Sequence, residues 1–281
     1  MVLSLKNIPG LDAIVEEEGG GVRIGSLVTV AQLASDPILS QRYSALVSAA
    51  QSSASLQIRN VATLGGNLLQ RPRCWYFRRA EYHCSRRGGN HCFAMLGENQ
   101  YHAIFNNMPC AIVHPSTSAT VLVALGARIQ LTNAAGMVRN VLLEDFFVLP
   151  NHDIRRENDL KPQEILTAIH LPAMPASLRM AHLKQGEKES FDWPLADVAV
   201  ALDIGRAGSC DRAAIILGAA APAPHRAKTA ESVLVGKRID ESLAREAAHA
   251  ALDGATPLAK NAYKLPLFET LVRRAILKAV D

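Results

Sequence analysis

Four of the five cysteines, Cys74, Cys84, Cys92 and Cys110, fall in one section of chain, separated by nine, seven and seventeen residues. Four thiolates delivered in this way can hold Zn²⁺ or an iron–sulfur cluster, because both accept tetrahedral sulfur ligation. Structural zinc usually takes two Cys-x(2 to 4)-Cys knuckles, which are absent here, whereas a cubane accepts ligands from longer, separate loops. His83 and His91 each precede a cysteine and could substitute in a mixed site. Spacing alone leaves three readings open: an iron–sulfur cluster, zinc, or cysteines that are unligated or disulfide-bonded. Arg73, Arg78, Arg79, Arg86 and Arg87 share the section. Their charge would lower the cost of a cluster's negative charge, and Gly88 and Gly89 would permit tight wrapping.

The same arginines, with Trp75, Tyr76 and Phe77 as stacking platforms, also fit a single-stranded nucleic-acid surface. Charge argues against it. Six arginines against one glutamate between residues 71 and 87 exceed the chain's whole +4 excess, so the remainder is slightly acidic and offers no groove-sized basic surface. "CWYF" equally suits a packing strip that shields a cluster, and no specific nucleic-acid role is expected.

A second motif, "TLGGN" at 63–67, reads as a loop after a helix. Adjacent glycines let the backbone approach a ligand closely, and successive amides form a nest for phosphate oxygens. Neither a Gly-x-Gly-x-x-Gly fingerprint nor a Walker sequence accompanies it, which excludes a conventional Rossmann or P-loop reading.

These motifs need elements to position them. The pattern predicts a strand at Val22–Ile24, then a helix opened by a Thr29/Gln32 capping box and stopped at Asp36-Pro37. A second helix is expected over Gln41–Ala54, a third over Ser116–Leu125, then strands at Ala127–Leu131 and near 165–171. A proline-containing linker places a domain boundary near 172–178. Beyond it, "LADVAVALDI" and "CDRAAIILGAAA" read as a hairpin across "GRAGS", followed by two helices, the last at about 267–280. The 281 residues suit two domains. No apolar run reaches the roughly 18 residues of a membrane span. The start does not read as a secretory leader, since Pro9, Gly10 and Asp12 precede any long hydrophobic segment. Cys210, in or beside a strand, reads as a small buried apolar group.

Taken together, "QIRNVATLGGNLLQRPRCWYF" (57–77), "YHAIF" (101–105), "CAIVHPS" (110–116), "GAAAPAPHRA" (218–227) and "NAYKLPLFETLVRRAI" (261–276) resemble the FAD-binding middle subunit of molybdenum hydroxylases. The nearest branch is the bacterial xanthine dehydrogenase-type aldehyde oxidoreductase flavoprotein that also carries a [4Fe–4S] cluster. The resemblance implies an α+β fold. Residues 1–175 would form a PCMH-type FAD-binding domain lacking its first subdomain, with a cluster insertion at about 71–111. Residues 176–281 would form a small α+β domain like that of the CO dehydrogenase flavoprotein C-terminus, with an antiparallel sheet.

By the same resemblance, Thr63, Gly65, Gly66 and Asn67 belong to the FAD pyrophosphate region. Ile24, Gly25, His114 and Ser116 lie in segments lining the flavin site, and Lys184 lies near the isoalloxazine, where a cation stabilises reduced flavin. Cys74, Cys84, Cys92 and Cys110 would be the cluster ligands. His114 is expected to be a structural hydrogen-bonding residue, and Tyr263 and Lys264 to organise the turn before the last helix. Two departures stand out: Thr117 replaces an aspartate usual after the "HPS" turn, and a first glycine-rich phosphate loop is missing, which predicts weakened FAD binding. The implied role is electron transfer in a heterotrimer. Electrons would pass from a [2Fe–2S] subunit to an external acceptor, with substrate chemistry on a molybdopterin subunit. The compartment stays open, cytoplasmic or periplasmic by co-export with a partner.

Overall fold

A computed structural model describes residues 4–188 and 191–281. Two short strands, β1 (Ile14–Glu16) and β2 (Val22–Gly25), open the chain as an antiparallel pair. Thr29 then caps α1 (Val30–Ser35), and the Thr29/Gln32 capping box is present in both directions. Asp36-Pro37 stops that helix as expected but also starts another. The Asp36 carboxylate accepts from Leu39 N at 2.9 Å, and Pro37 fills the first position of α2 (Pro37–Arg42), where a missing N–H costs nothing.

The single helix expected over 41–54 is therefore two, α2 and α3 (Ser44–Ser52), broken at Tyr43. Tyr43 leaves helical geometry at φ −135° and is fully buried, its hydroxyl donating to Pro172 O at 2.8 Å. Tertiary anchoring thus overrides local periodicity. Short helices follow: α4 (Leu56–Arg59), α5 (Leu64–Leu68) and α6 (Trp75–Arg78).

Every residue of α7 (Thr117–Ala124) is buried, the polar Thr117, Ser118 and Thr120 included. It packs on α3 and on both long strands of the second sheet. The strand β3 (Arg128–Asn133) continues into β4 (Val138–Leu142), which the sequence reading missed because its burial alternates over only five residues. After α8 (Leu143–Phe146), β5 (Glu164–Leu171) completes a five-stranded antiparallel sheet of order β1-β2-β5-β3-β4.

The linker expected to reach 178 gives way to a full strand, β6 (Leu178–Gln185), also unread in the sequence. With β7 (Ala196–Ile204), β8 (Cys210–Gly218) and β9 (His225–Arg226) it forms a four-stranded antiparallel sheet in sequence order. Seven consecutive residues of β7 are buried because both faces are covered. Ala199 and Ala201 face the first core, while Val198, Val200 and Leu202 face the second. Three helices, not two, close the second core: α9 (Lys228–Leu234), α10 (Glu241–Ala250) and α11 (Lys264–Val280). Cys210 is fully buried there.

The cysteine-bearing excursion leans on the C-terminal half. Ile104 N donates to Ala220 O at 2.8 Å, Thr256 N to Ile104 O at 2.7 Å, and Lys260 N to Asn99 Oδ1 at 2.9 Å. Asn261, fully buried, donates to His102 O and Ala103 O. Among the described residues no helix is long and apolar enough to cross a membrane.

Lys264, at the first turn of α11, is fully buried and donates its Nζ to Ala219 O at 2.8 Å. Burial pushes its pKa down to about 7. Between that value and its unfolded value the unfolded chain binds more protons, so stability rises with pH across this window and the penalty is complete below it. Lys264→Met abolishes the dependence. The wild-type-minus-variant difference in unfolding free energy, read from urea midpoints, should rise by roughly 2–4 kcal/mol from pH 7 to 10.

Candidate functional site

The "TLGGN" stretch is not a loop but the first turn of α5. Thr63 is its N-cap, accepting from Gly66 N at 3.2 Å. The two glycines do different work. A Cβ on Gly65 would sit 2.9 Å from both Ser26 Cβ and Ser26 O, so Gly65 lets α5 press onto the segment after β2, where Gly65 N donates to Ser26 O at 2.8 Å. A Cβ on Gly66 would meet only Thr63 Oγ1, at 3.1 Å, and Gly66 lines an open groove.

The amide nest expected here is not formed. Leu64 N is taken by Val28 O, Gly65 N by Ser26 O, Gly66 N by Thr63 Oγ1 and Asn67 N by Thr63 O, because helix capping uses the donors that a phosphate would need. Ser116, N-cap of α7, donates its hydroxyl to Asn67 Oδ1 at 2.5 Å. This leaves Asn67 Nδ2 as a donor with no partner among the described residues.

The groove holds about 640 Å³ and runs from Thr63, Gly66 and Asn67 past Pro115 and Thr117 to Lys184 and Trp193. Lys184 is half-buried on β6, and its Nζ donates to Ser52 O at 2.8 Å and Asp192 O at 2.7 Å. Burial lowers its pKa and nearby carboxylates, Asp197 first, oppose this. Behind it His182 Nε2 lies 2.6 Å from Asp197 Oδ1, both side chains 1% exposed, and His182 Nδ1 lies 3.3 Å from Ser48 Oγ.

His114 is buried, accepts from Ser116 N at 3.3 Å and is held neutral by burial, its pKa lowered to about 4. Its ring is not among the side chains lining the groove. Ile24 and Gly25 do not line the groove. Ile24 is fully buried opposite Ile169 in the sheet, and a Cβ on Gly25 would stand 2.2 Å from Leu11 O. They support the Ser26–Val28 segment on which α5 rests. Sequence reading missed Phe191 and Trp193 altogether. They sit on an irregular connection where no periodicity exists, with Arg59 over Phe191 at 5.4 Å and Arg73 over Trp193 at 4.4 Å.

The four cysteines lie around one small cavity: Cys74, Cys84, Cys92 and Cys110 line it with Arg86, Phe93 and His102. Cys74 immediately precedes α6, while Cys84 and Cys92 each precede a short 3₁₀ turn. Backbone amides at 76 and 77 favour the Cys74 thiolate, although burial dominates and pushes that thiol up to about 11. The Cys110 thiol is hydrogen-bonded to Cys92, lowering the pKa of Cys92 and raising its own. All five cysteines are free thiols.

Only one arginine lines the cavity, not five. Arg86, 4% exposed, donates Nε to Glu157 at 3.0 Å and Nη2 to Arg156 O at 2.8 Å, while its Nη1 is buried without a partner. Arg78 and Arg87 are spent on the carbonyls of Pro72 and Arg79, and Arg79 pairs with Glu81. His102, unremarked in the sequence, places Nε2 3.2 Å from Cys74 Sγ, with its Nδ1 buried and unpartnered.

Four thiols are ligands of the type that a thiolate-bound metal centre uses. The free space among them is about 10 Å³, about one water, and no set of three ligating side chains among the described residues converges closely enough to hold an ion. In the arrangement described, the four side chains do not enclose an ion or a cluster.

Residues 1–174 match the family described as the FAD binding domain in molybdopterin dehydrogenase, and residues 181–279 match the CO dehydrogenase flavoprotein C-terminal domain. The chain belongs to the FAD-binding subunits of the molybdenum hydroxylase family. It is 32% identical to the aldehyde oxidoreductase FAD-binding subunit PaoB of Escherichia coli over 96% of this chain and 82% of that one. A xanthine dehydrogenase FAD-binding subunit (XdhB, putative by its name) of the same organism is 26% identical over 99% and 81%. Among solved structures, quinoline 2-oxidoreductase from Pseudomonas putida 86 superposes with a TM-score of 0.72 at 26% identity, covering 98% of this chain and 80% of that one.

Gly65→Ala tests the packing of α5. The added methyl has only backbone and Ser26 to displace, so the turn must shift. The urea midpoint should fall by an amount corresponding to about 1–3 kcal/mol.

Proposed function

We propose that this chain is the electron-exit subunit of a molybdenum-dependent aldehyde oxidoreductase of the xanthine dehydrogenase type. FAD lies in the groove between α5 and Lys184, and a [4Fe–4S] cluster is held by Cys74, Cys84, Cys92 and Cys110. A molybdopterin subunit oxidises the aldehyde, a [2Fe–2S] subunit delivers the electrons, and the heterotrimer passes them to an external acceptor. The observation that carries this reading is that one intervening pocket shares wall residues with both the groove and the cysteine cavity, among them Asp192 on the groove side and Cys74 on the other.

The proposed division at 175 puts the pyrophosphate region and the insertion at about 71–111 on the first portion, with Lys184 on the second. The groove is thus a junction between portions, a usual place for a cofactor. FAD supplies the capacity to accept electrons singly and to release them singly or as a pair. The chain's own residues set the surroundings. Gly66 admits close approach, Asn67 Nδ2 offers a donor, and Lys184, steadied by two carbonyls, supplies positive charge where negative charge develops on reduction. Arg86 offsets the charge of the thiolates.

A second reading, a flavin-deficient iron–sulfur scaffold of the same complex, is favoured by the internal satisfaction of the amides at 64–67. A zinc-stabilised module is disfavoured by the lack of knuckles.

Anaerobic purification of the complex separates these readings. Absorbance near about 450 nm with about one FAD per chain, together with iron and acid-labile sulfide at about four each, is the expected result. Iron without flavin would leave the scaffold, and zinc without sulfide would overturn the cluster. Cys84→Ala should lose iron and keep flavin. Gly66→Leu should do the reverse, its side chain filling the groove.

A further inference from the structure

Between the groove and the cysteine cavity lies a separate pocket of about 350 Å³. It shares Cys74 and His102 with the cavity, and Arg73, Pro115, Asp192, Trp193 and Pro194 with the groove. The chain has two tryptophans, Trp75 and Trp193, and both line this pocket. Tyr101 stands edge-on to Trp75, with ring centroids 5.5 Å apart at 75°, and its hydroxyl bonds Glu187. Nothing in the mechanism above uses Trp75, Tyr101 or Leu195.

We infer that this pocket is the binding site of the external electron acceptor and that the acceptor is a neutral planar aromatic of the quinone class. The inference rests on the flavin and cluster reading given above, and it goes further in naming the acceptor's chemistry and place.

Three observations select that chemistry. Aromatic walls bind flat rings through face and edge contacts, and this pocket has three such side chains together with Pro115, Pro194 and Leu195. Its volume is at the lower end for ligand pockets, which suits a one- or two-ring molecule and not a dinucleotide. The charges at the rim are Arg73, Glu187 and Asp192, and Arg73 is already stacked on Trp193 at 4.4 Å. Among the described residues lining the pocket, the two phosphates of a nicotinamide dinucleotide would find a single cation, Arg73, with the carboxylate of Glu187 beside it. A quinone carries no charge. It would take two electrons and two protons and leave as the hydroquinone, the electrons and one proton being those that the reduced flavin gives up and the second proton coming from solvent.

The two tryptophans make the pocket report on itself. Menadione (2-methyl-1,4-naphthoquinone) titrated into the cofactor-loaded protein should quench tryptophan emission saturably, with equilibrium dialysis giving the same affinity. Tyr101→Ala, a change at a side chain 39% exposed, and Trp75→Leu should each weaken binding about tenfold, ~1.4 kcal/mol, with flavin and iron contents unchanged. Gly66→Leu should lose flavin and still bind menadione, so a failure of the flavin reading would not be mistaken for a failure here. In the assembled complex Tyr101→Ala should raise the KM for menadione about tenfold and leave that for ferricyanide unchanged. Unsaturable quenching, affinity unchanged in both aromatic variants, or displacement of flavin by menadione would each overturn the inference.

Discussion

The enclosure of α7 between α3 and the four-stranded sheet is the constraint on which the rest of the structure depends. All eight of its residues are buried, so its position is set by packing against α3, β7 and β8 and has little freedom to shift. Its N-terminus then fixes the site. The Ser116 hydroxyl caps the helix at Ala119 N and reaches Asn67 on α5, while His114 N donates to Ala221 O beyond β8. One helix thereby ties the glycine turn, the corner at 114–116 and the second sheet into a single frame.

Buried polar atoms without partners occur at both candidate centres. Beside the groove Lys184 is held by two backbone oxygens and Asp197 Oδ1 by His182, while Asp197 Oδ2 is buried without a partner. Around the cysteines there are two such atoms. Arg86 has one buried nitrogen without a partner, and His102 has another. Orphaned buried donors are costly, and their clustering at one cavity lined by four thiols is intelligible if a negative group belongs there.

The sequence made legible what depends on types and spacing: the capping box at Thr29, the helix at 117–124 and the β7–β8 hairpin. It hid what depends on distant partners. Tyr43 breaks a helix because Pro172 receives its hydroxyl, and β6 was lost to a proline-rich linker although it pairs with β7 over its full length. The glycine turn misled in a different way, since "TLGGN" suits either a nest or a capped helix, and the choice lies with Ser26 and Val28, far away in sequence. Of five arginines clustered in sequence, one faces the thiols, because a side chain's direction is not written in its neighbours.

The clasp on the cysteine excursion bears on the order of biosynthesis. Asn99, His102, Ala103, Ile104 and Asn107 are held by Thr256, Lys260 and Asn261, contacts spanning about 150 residues of chain. Domains form as units while the chain emerges from its N-terminus, yet these bonds cannot close until residues 256–261 have left the ribosome. Whatever loads the thiols therefore meets either an open, unclasped loop during translation or a finished one afterwards, and the window between those two states closes when α11 docks.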